Sequence, residues 1–193
     1  MPEYKFLLGT ISVLIAFIGY GIYFRQIFSG KIKPHVFSWF VWGLTTAIIF
    51  FGQIVKGAGP GAWATGAIAV ACWIIFGFAI FKGQRDFILW DWIFFMVALI
   101  SLVSWKLAKG PTLALILLTT TDALATLPTL RKAYHKPFEE SFALFSLNGI
   151  KSVFSIFAFQ TYTLVAVLYP VMLVLFNFLV ALVIFVRRRQ LPR

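Results

Sequence analysis

Seven apolar runs of roughly 20 residues, joined by short loops, take up nearly the whole chain, and about 20 helical residues are what it takes to cross roughly 30 Å of hydrocarbon. The runs are approximately Phe6–Phe28, Val36–Val55, Gly61–Phe81, Phe87–Trp105, Pro111–Leu130, Ser141–Gln160 and Leu164–Val186. A soluble domain is excluded, because 61% of the 193 residues are hydrophobic and 12% charged, too little polar surface to cover one. In lipid the backbone must satisfy itself, which a helix does within one segment. The expected fold class is therefore an all-α integral membrane protein with seven transmembrane helices.

The net charge of +11 is distributed as a topology signal, not as a phosphate-binding face, and excludes a nucleic-acid partner. Arg25, Lys31 and Lys33 follow the first run, Lys82 and Arg85 the third, Arg131, Lys132 and Lys136 the fifth, and Arg187, Arg188, Arg189 and Arg193 close the chain. The other side carries only Lys5, Lys56, Lys106 and Lys109. The positive-inside rule then puts the N-terminus outside and the C-terminus in the cytosol, as a multi-pass protein of the cell (inner) membrane. Met1-Pro2-Glu3-Tyr4-Lys5 precedes a run with no small-residue cleavage site, which reads as a retained helix. The single cysteine, Cys72, lies within an apolar run and founds no disulfide framework.

Two loops echo each other. The order of residues from Arg25-Gln26 through Lys33-Pro34 to Ser38-Trp39 returns from Pro128-Thr129 through Lys136-Pro137 to Ser141-Phe142. Pro34 and Pro137 are 137 − 34 = 103 apart, and the same offset aligns Trp42 with Phe145. This reads as a duplication. The predicted organisation is a triple-helix repeat over residues 6–82, a linker helix over 83–110, a second triple-helix repeat over 111–187 and a cytosolic tail over 188–193. Three helices are an odd number, so one linker crossing gives both copies the same orientation, the parallel-repeat plan of some transporters. Gly61, Thr65 and Ala69, with Ala62 and Gly66 beside them, make a small-residue side on the third helix. Such a row serves close packing within the chain or a homo-oligomer contact.

A charge in mid-helix costs about 2.5 to 3.5 kcal/mol on insertion scales, so each one needs a partner or a task. Asp122 lies near the centre of the fifth run and Lys151 near the centre of the sixth, where Asn148, Lys151, Ser152 and Ser155 share one helical face. Asn177 adds an amide at similar depth in the seventh. The repeat offset sets Asp122 against Gly19, Lys151 against Ile48 and Asn148 against Thr45, and a one-residue adjustment sets Asn177 against Trp73. The expected cavity is asymmetric, with Asn148, Lys151 and Asn177 on one wall and Tyr20, Thr45 and Trp73 on the other. Asp122 is the candidate site of proton or cation coupling, and Lys151 the candidate holder of a substrate carboxylate. The structural alternative is an interhelical salt bridge between the two.

Asp91, near the cytosolic end of the fourth run, is expected to pair with Arg85 or reach the headgroups. Trp39, Trp42, Trp63, Trp90, Trp92 and Trp105 read as interfacial belt residues. His35 and His135 have no carboxylate or cysteine at ligand spacing, so no metal site is assigned.

These residues resemble the PQ-loop superfamily, which includes SWEET sugar carriers, cystinosin-like amino-acid exporters and the KDEL receptor. The likeness rests on the three-one-three helix plan, on degenerate Pro-Gln positions at Arg25-Gln26 and Pro128-Thr129, and on the basic loops leading to Ser38 and Ser141. It implies hinges at Pro128 and Gln26, although Arg25 stands where the first proline would be and Thr129 where the second glutamine would be. It also implies that Asn177 matches a substrate-lining asparagine, from which Trp73 departs, and that Asp122 is the analogue of proton-coupling aspartates.

The resulting expectation is a carrier, without cofactor, for a small polar solute such as a sugar, an amino acid or a vitamin-like molecule. A receptor or trafficking protein on the same fold is the alternative. A retinal-binding photoreceptor built on Lys151 leaves the repeat unexplained, and His-Glu-x-x-His and Gly-x-Ser-x-Gly enzyme motifs are missing.

Overall fold

The structure, a computed structural model, describes residues 3–107 and 111–191. Lys109 and Arg193 of the charge balance lie outside the described residues, as do the side chains of Trp105 and Lys106. Seven helices follow one another: α1 (Glu3–Phe28), α2 (Val36–Val55), α3 (Trp63–Lys82), α4 (Leu89–Lys106), α5 (Pro111–His135), α6 (Phe142–Ala158) and α7 (Leu164–Gln190). Single 3-10 turns precede α3 at Gly59–Ala62 and α6 at Pro137–Glu139, and no strand occurs among the described residues.

The apolar runs become helices, and their ends are set by local chemistry. Gly30 at φ 71° lets α1 close, with the Lys31 N–H on the Gln26 carbonyl and the Gly30 N–H on Ile27, both at 3.0 Å. Gly57 at φ 67° repeats this at the end of α2, returning the Ala58 N–H to Gln53 and the Gly57 N–H to Ile54, again at 3.0 Å. Both are Schellman closures, which need a left-handed residue that glycine adopts at little cost. Ser141 caps α6 by accepting the Leu144 N–H at 3.3 Å. Its echo Ser38 instead lies inside α2, which starts at Val36. The two loops share an order of residues but not a helix start.

Five segments are long and apolar enough to cross a membrane: Glu3–Phe28, Val36–Val55, Gly59–Lys82, Leu113–His135 and Val167–Gln190. Leu89–Ser104 and Phe142–Ala158 are apolar too but shorter. The 17 residues of α6 measure about 25 Å at 1.5 Å per residue, the lower edge of what spans hydrocarbon.

Helix α3 packs against both α1 and α2, α7 against both α5 and α6, α1 lies on α6, α2 on α5, and α4 covers α5 and part of α2. Tyr20, Tyr23, Ile27, Trp39, Ile68, Cys72, Ile75 and Leu144 form the largest buried cluster. Phe17, Phe51, Val55, Val70 and Leu175 point outward and exposed, the apolar exterior that lipid requires.

At the end of the bundle that carries the basic loops, the charges turn inward. Helix α5 runs past Leu130 to His135, so Arg131 and Lys132 are helical residues and not loop residues. Lys132 is fully buried, pairs with Glu140 at 2.8 Å and donates to the carbonyls of Glu139, at 3.1 Å, and of Lys33. Lys33 pairs back to Glu139 at 3.2 Å. Asp91 is corrected too. It is fully buried and takes two hydrogen bonds from Arg131, at 3.0 and 2.6 Å, while Arg85 donates to the Ile80 carbonyl at 2.5 Å. His35 stands 3.8 Å from the same carboxylate. Arg188, expected in a free tail, is on α7 and donates to the carbonyls of Pro137 and Glu140.

Outside the spanning segments, Lys136 hydrogen-bonds Asp86, and that bond holds the Asp86 carboxyl below its usual range and the Lys136 ammonium above its own. A depressed carboxyl favours the fold above its unfolded value, near 4, and loses that contribution as pH falls through its folded value. The protection factors of residues 83–88, taken against the intrinsic exchange rate at each pH, should therefore fall on going from pH 6 to pH 2, modestly because the pair is exposed. Removing one partner of a buried pair costs about 3 to 5 kcal/mol, whereas replacing both by apolar residues is often neutral. Glu140→Leu is expected to lower the melting temperature in detergent sharply and Lys132→Met with Glu140→Leu to restore most of it, as a double-mutant melting series would show.

Candidate functional site

Asp122, Asn148, Lys151, Asn177 and Tyr20 come together around one narrow cavity at mid-height of the bundle. Its other walls are Trp39, Trp42 and Thr46 from α2, Ile68 and Cys72 from α3, Thr126 from α5, Phe145 from α6, and Tyr169, Met172, Leu173, Phe176 and Val180 from α7. The void is about 40 Å³. That is room for roughly three waters and far too little for a sugar or an amino acid. The bundle is packed tightly around its centre.

Asp122 is 2% exposed and bonded to Thr45, whose hydroxyl lies 2.5 Å from Oδ1. The same hydroxyl lies 3.0 Å from the Val41 carbonyl, one turn back on α2. A hydroxyl has one proton and can also accept. Thr45 can therefore donate to an ionised Asp122, or turn its proton to Val41 and accept one from a neutral Asp122. The carboxyl keeps a partner in both protonation states. The backbone carbonyl of Asp122 accepts from the Trp42 indole at 3.2 Å, which ties α5 to α2 at this level.

Lys151 is 1% exposed and forms no hydrogen bond or ion pair. The structural alternative of an Asp122–Lys151 salt bridge is thereby corrected: the two charges line the same cavity on different walls and remain separate. Asn148 Oδ1 and the Tyr169 hydroxyl are also buried at this cavity without partners. Asn177 donates one amide N–H to the Leu173 carbonyl of its own helix at 2.8 Å. Unsatisfied buried polar groups cost about 1 to 3 kcal/mol each, more for a charge, so packing alone gives no reason for this concentration.

Two sequence expectations change. Trp73 is not on the cavity wall. It is 39% exposed and packs on Phe40 and Phe76, while the preceding Cys72 faces the centre. One helical residue is a turn of about 100°, so the one-residue adjustment of the repeat in α3 pointed to the wrong face. Trp39 and Trp42 are not belt residues but turn inward, edge to face with each other at 5.1 Å. The echo carried a signal for one of them, because its partners Trp42 and Phe145 both line the cavity. Thr126 had one as well, lying one turn after Asp122.

Of the hinge candidates, Pro128 lies within α5, between the level of Asp122 and the ion-paired end, where it has no N–H to give the carbonyl four residues back. Thr129 beside it donates to Ser38 on α2 at 3.0 Å. Gln26 sits in the closing turn of α1, with its side-chain oxygen buried and unpartnered. No protein-family model, curated protein or solved structure matches the chain.

Cys72 is the chain's only cysteine and is 1% exposed on the cavity wall. Methanethiosulfonate labelling of the purified protein should be slow in the closed state and at least about tenfold faster in Glu140→Leu, which loosens the ion-paired end. Immediate stoichiometric labelling of the unmodified protein would contradict a closed cavity.

Proposed function

We propose that the chain is a PQ-loop-like carrier that moves a small polar solute through this central cavity by alternating access. The observation that carries the reading is a lysine and an aspartate, unpaired with each other, on the walls of one narrow mid-bundle cavity. The neighbour pattern supports two parallel triple-helix units: exchanging α1 for α5, α2 for α6 and α3 for α7 maps the contacts of each half, and the contacts between halves, onto one another. In this reading α4 and α6 also cross, α4 is the linker, and the basic end faces the cytosol of the cell membrane with the N-terminus outside.

The charge arrangement favours a zwitterion, with its carboxylate at Lys151 and its ammonium near Asp122. Asn148 and Tyr169 offer the remaining hydrogen bonds, and Trp39, Trp42 and Phe176 an apolar surround. Closure at the basic end is the Lys33–Glu139 pair and the Lys132 ammonium on the Lys33 carbonyl, with Glu140 holding Lys132 in place. Closure at the other end is by hydrogen bonds to carbonyls without an ion pair, from Ser155 to Gly61 at 2.7 Å, from the Lys5 ammonium to Phe159 at 2.8 Å and from the Gln160 N–H to Ala58 at 3.2 Å. Rocking that breaks one set while keeping the other exposes the cavity to one side at a time, with Pro128 as the soft point of α5. Proton coupling runs through Asp122, which Thr45 satisfies whether or not it carries a proton.

Proteoliposome uptake of labelled amino acids, sugars and nucleosides, with current recorded under a pH gradient, tests this. Uptake of an amino acid is expected, falling at least about tenfold in Lys151→Met, the cost of a lost charge-assisted contact. Asp122→Asn is expected to abolish the response to pH. Binding without flux would instead favour the receptor reading, and uptake unchanged in both variants would remove the cavity from the mechanism.

A further inference from the structure

A second cleft opens on the lipid-facing side between the last half of α2 and the first half of α5, at the end of the bundle away from the basic loops. Its volume is about 510 Å³, and it is lined by Ile48, Ile49, Gly52, Gln53, Lys56 and Leu118 among others. It does not join the central cavity: Ile49, Leu115 and Leu118 on its floor pack in one cluster with Tyr169 and Met172 of the cavity wall. Phe51 and Val55 at its rim are 67% and 83% exposed, so in a membrane it stands open to acyl chains.

Two polar groups break this apolar surface. Gln53 is 3% exposed, and both its amide nitrogen and its oxygen are buried without a hydrogen-bond partner. Lys56, one turn nearer the helix end, is exposed, and its side chain makes no ion pair or hydrogen bond. The lining contains no acidic residue, so its charge is complementary to an anion. From Ile48 to Lys56 the cleft extends about 12 Å along α2, close to the depth of one leaflet, with Gln53 about 4.5 Å deeper than Lys56.

We infer that this cleft is a binding site for one anionic phospholipid of that leaflet, with the phosphate at Lys56, an ester carbonyl accepting from the Gln53 amide, and an acyl chain along Ile48, Ile49 and Leu118. The order of groups along α2 is the order along the lipid: charge, then carbonyl, then hydrocarbon. A dry apolar cleft would leave Gln53 with nothing to bond, and a bare acyl chain would leave both Gln53 and Lys56 unserved. The inference depends on the chain lying in a bilayer and is independent of what the central cavity carries.

Gly52 supplies the test. A Cβ added there meets nothing within 4 Å, so Gly52→Leu projects into the cleft from open space and narrows it where the acyl chain would lie. Native mass spectrometry of the delipidated protein, titrated with palmitoyl-oleoyl phosphatidylglycerol or the matching phosphatidylcholine, reads occupancy. The unmodified protein is expected to bind one phosphatidylglycerol about fivefold more tightly than phosphatidylcholine, the contribution of one basic residue near an anionic headgroup. Gly52→Leu should lose that bound lipid, Lys56→Gln should lose the preference, and Gln53→Leu should weaken both lipids alike. Phosphatidylglycerol retained equally by the unmodified protein and Gly52→Leu assigns it to the basic end and overturns the inference. Equal affinity of the unmodified protein for the two lipids overturns it as well.

Discussion

Burial of Lys132 among acceptors from both echo loops fixes the rest of the architecture. An ammonium removed from water must be paired and hydrogen-bonded or it destabilises the fold. Its partners are the Glu140 carboxylate and the carbonyls of Glu139 and Lys33, so the loop after α1 and the loop after α5 have to meet. One residue earlier on the same helix, Arg131 reaches Asp91 and draws in α4, and His35 at the start of α2 shares that carboxylate. Arg188 on α7 binds the carbonyls flanking the same loop. Five helices thus converge on charges that in the sequence look like a topology signal alone.

The centre is built on the opposite principle. There Lys151 makes no ion pair, Asn148 Oδ1 and the Tyr169 hydroxyl are buried without partners, and Asp122 has a single side-chain partner. Charges paired across elements at one end, and a lysine and an aspartate unpaired with each other in the middle, set the two levels of the bundle apart. The void of about 40 Å³ lies where the two levels meet, too narrow for anything much larger than a few waters.

The helices were legible because bilayer thickness dictates run length and because Gly30, Gly57 and Ser141 mark ends by local chemistry. The intramembrane charges were legible for a related reason: in an apolar chain a lone Asp122 or Lys151 is conspicuous, and both lie at the cavity. Errors arose where burial depended on a partner distant in sequence. Asp91 had Arg85 close by in the chain but meets Arg131, since α5 carries its helix one turn beyond the apolar run.

By itself the sequence determined that the chain is helical and membrane-like, roughly where the helices lie, and which side chains are too costly to bury idly. Only the tertiary structure decided which face of each helix turns inward. In a water-soluble helix the polar face marks the outside, but lipid is as apolar as the protein core, so Trp73 outside and Cys72 inside differ by one position with no polarity contrast to separate them. Shape and close packing between helices, not partition between water and oil, make that choice.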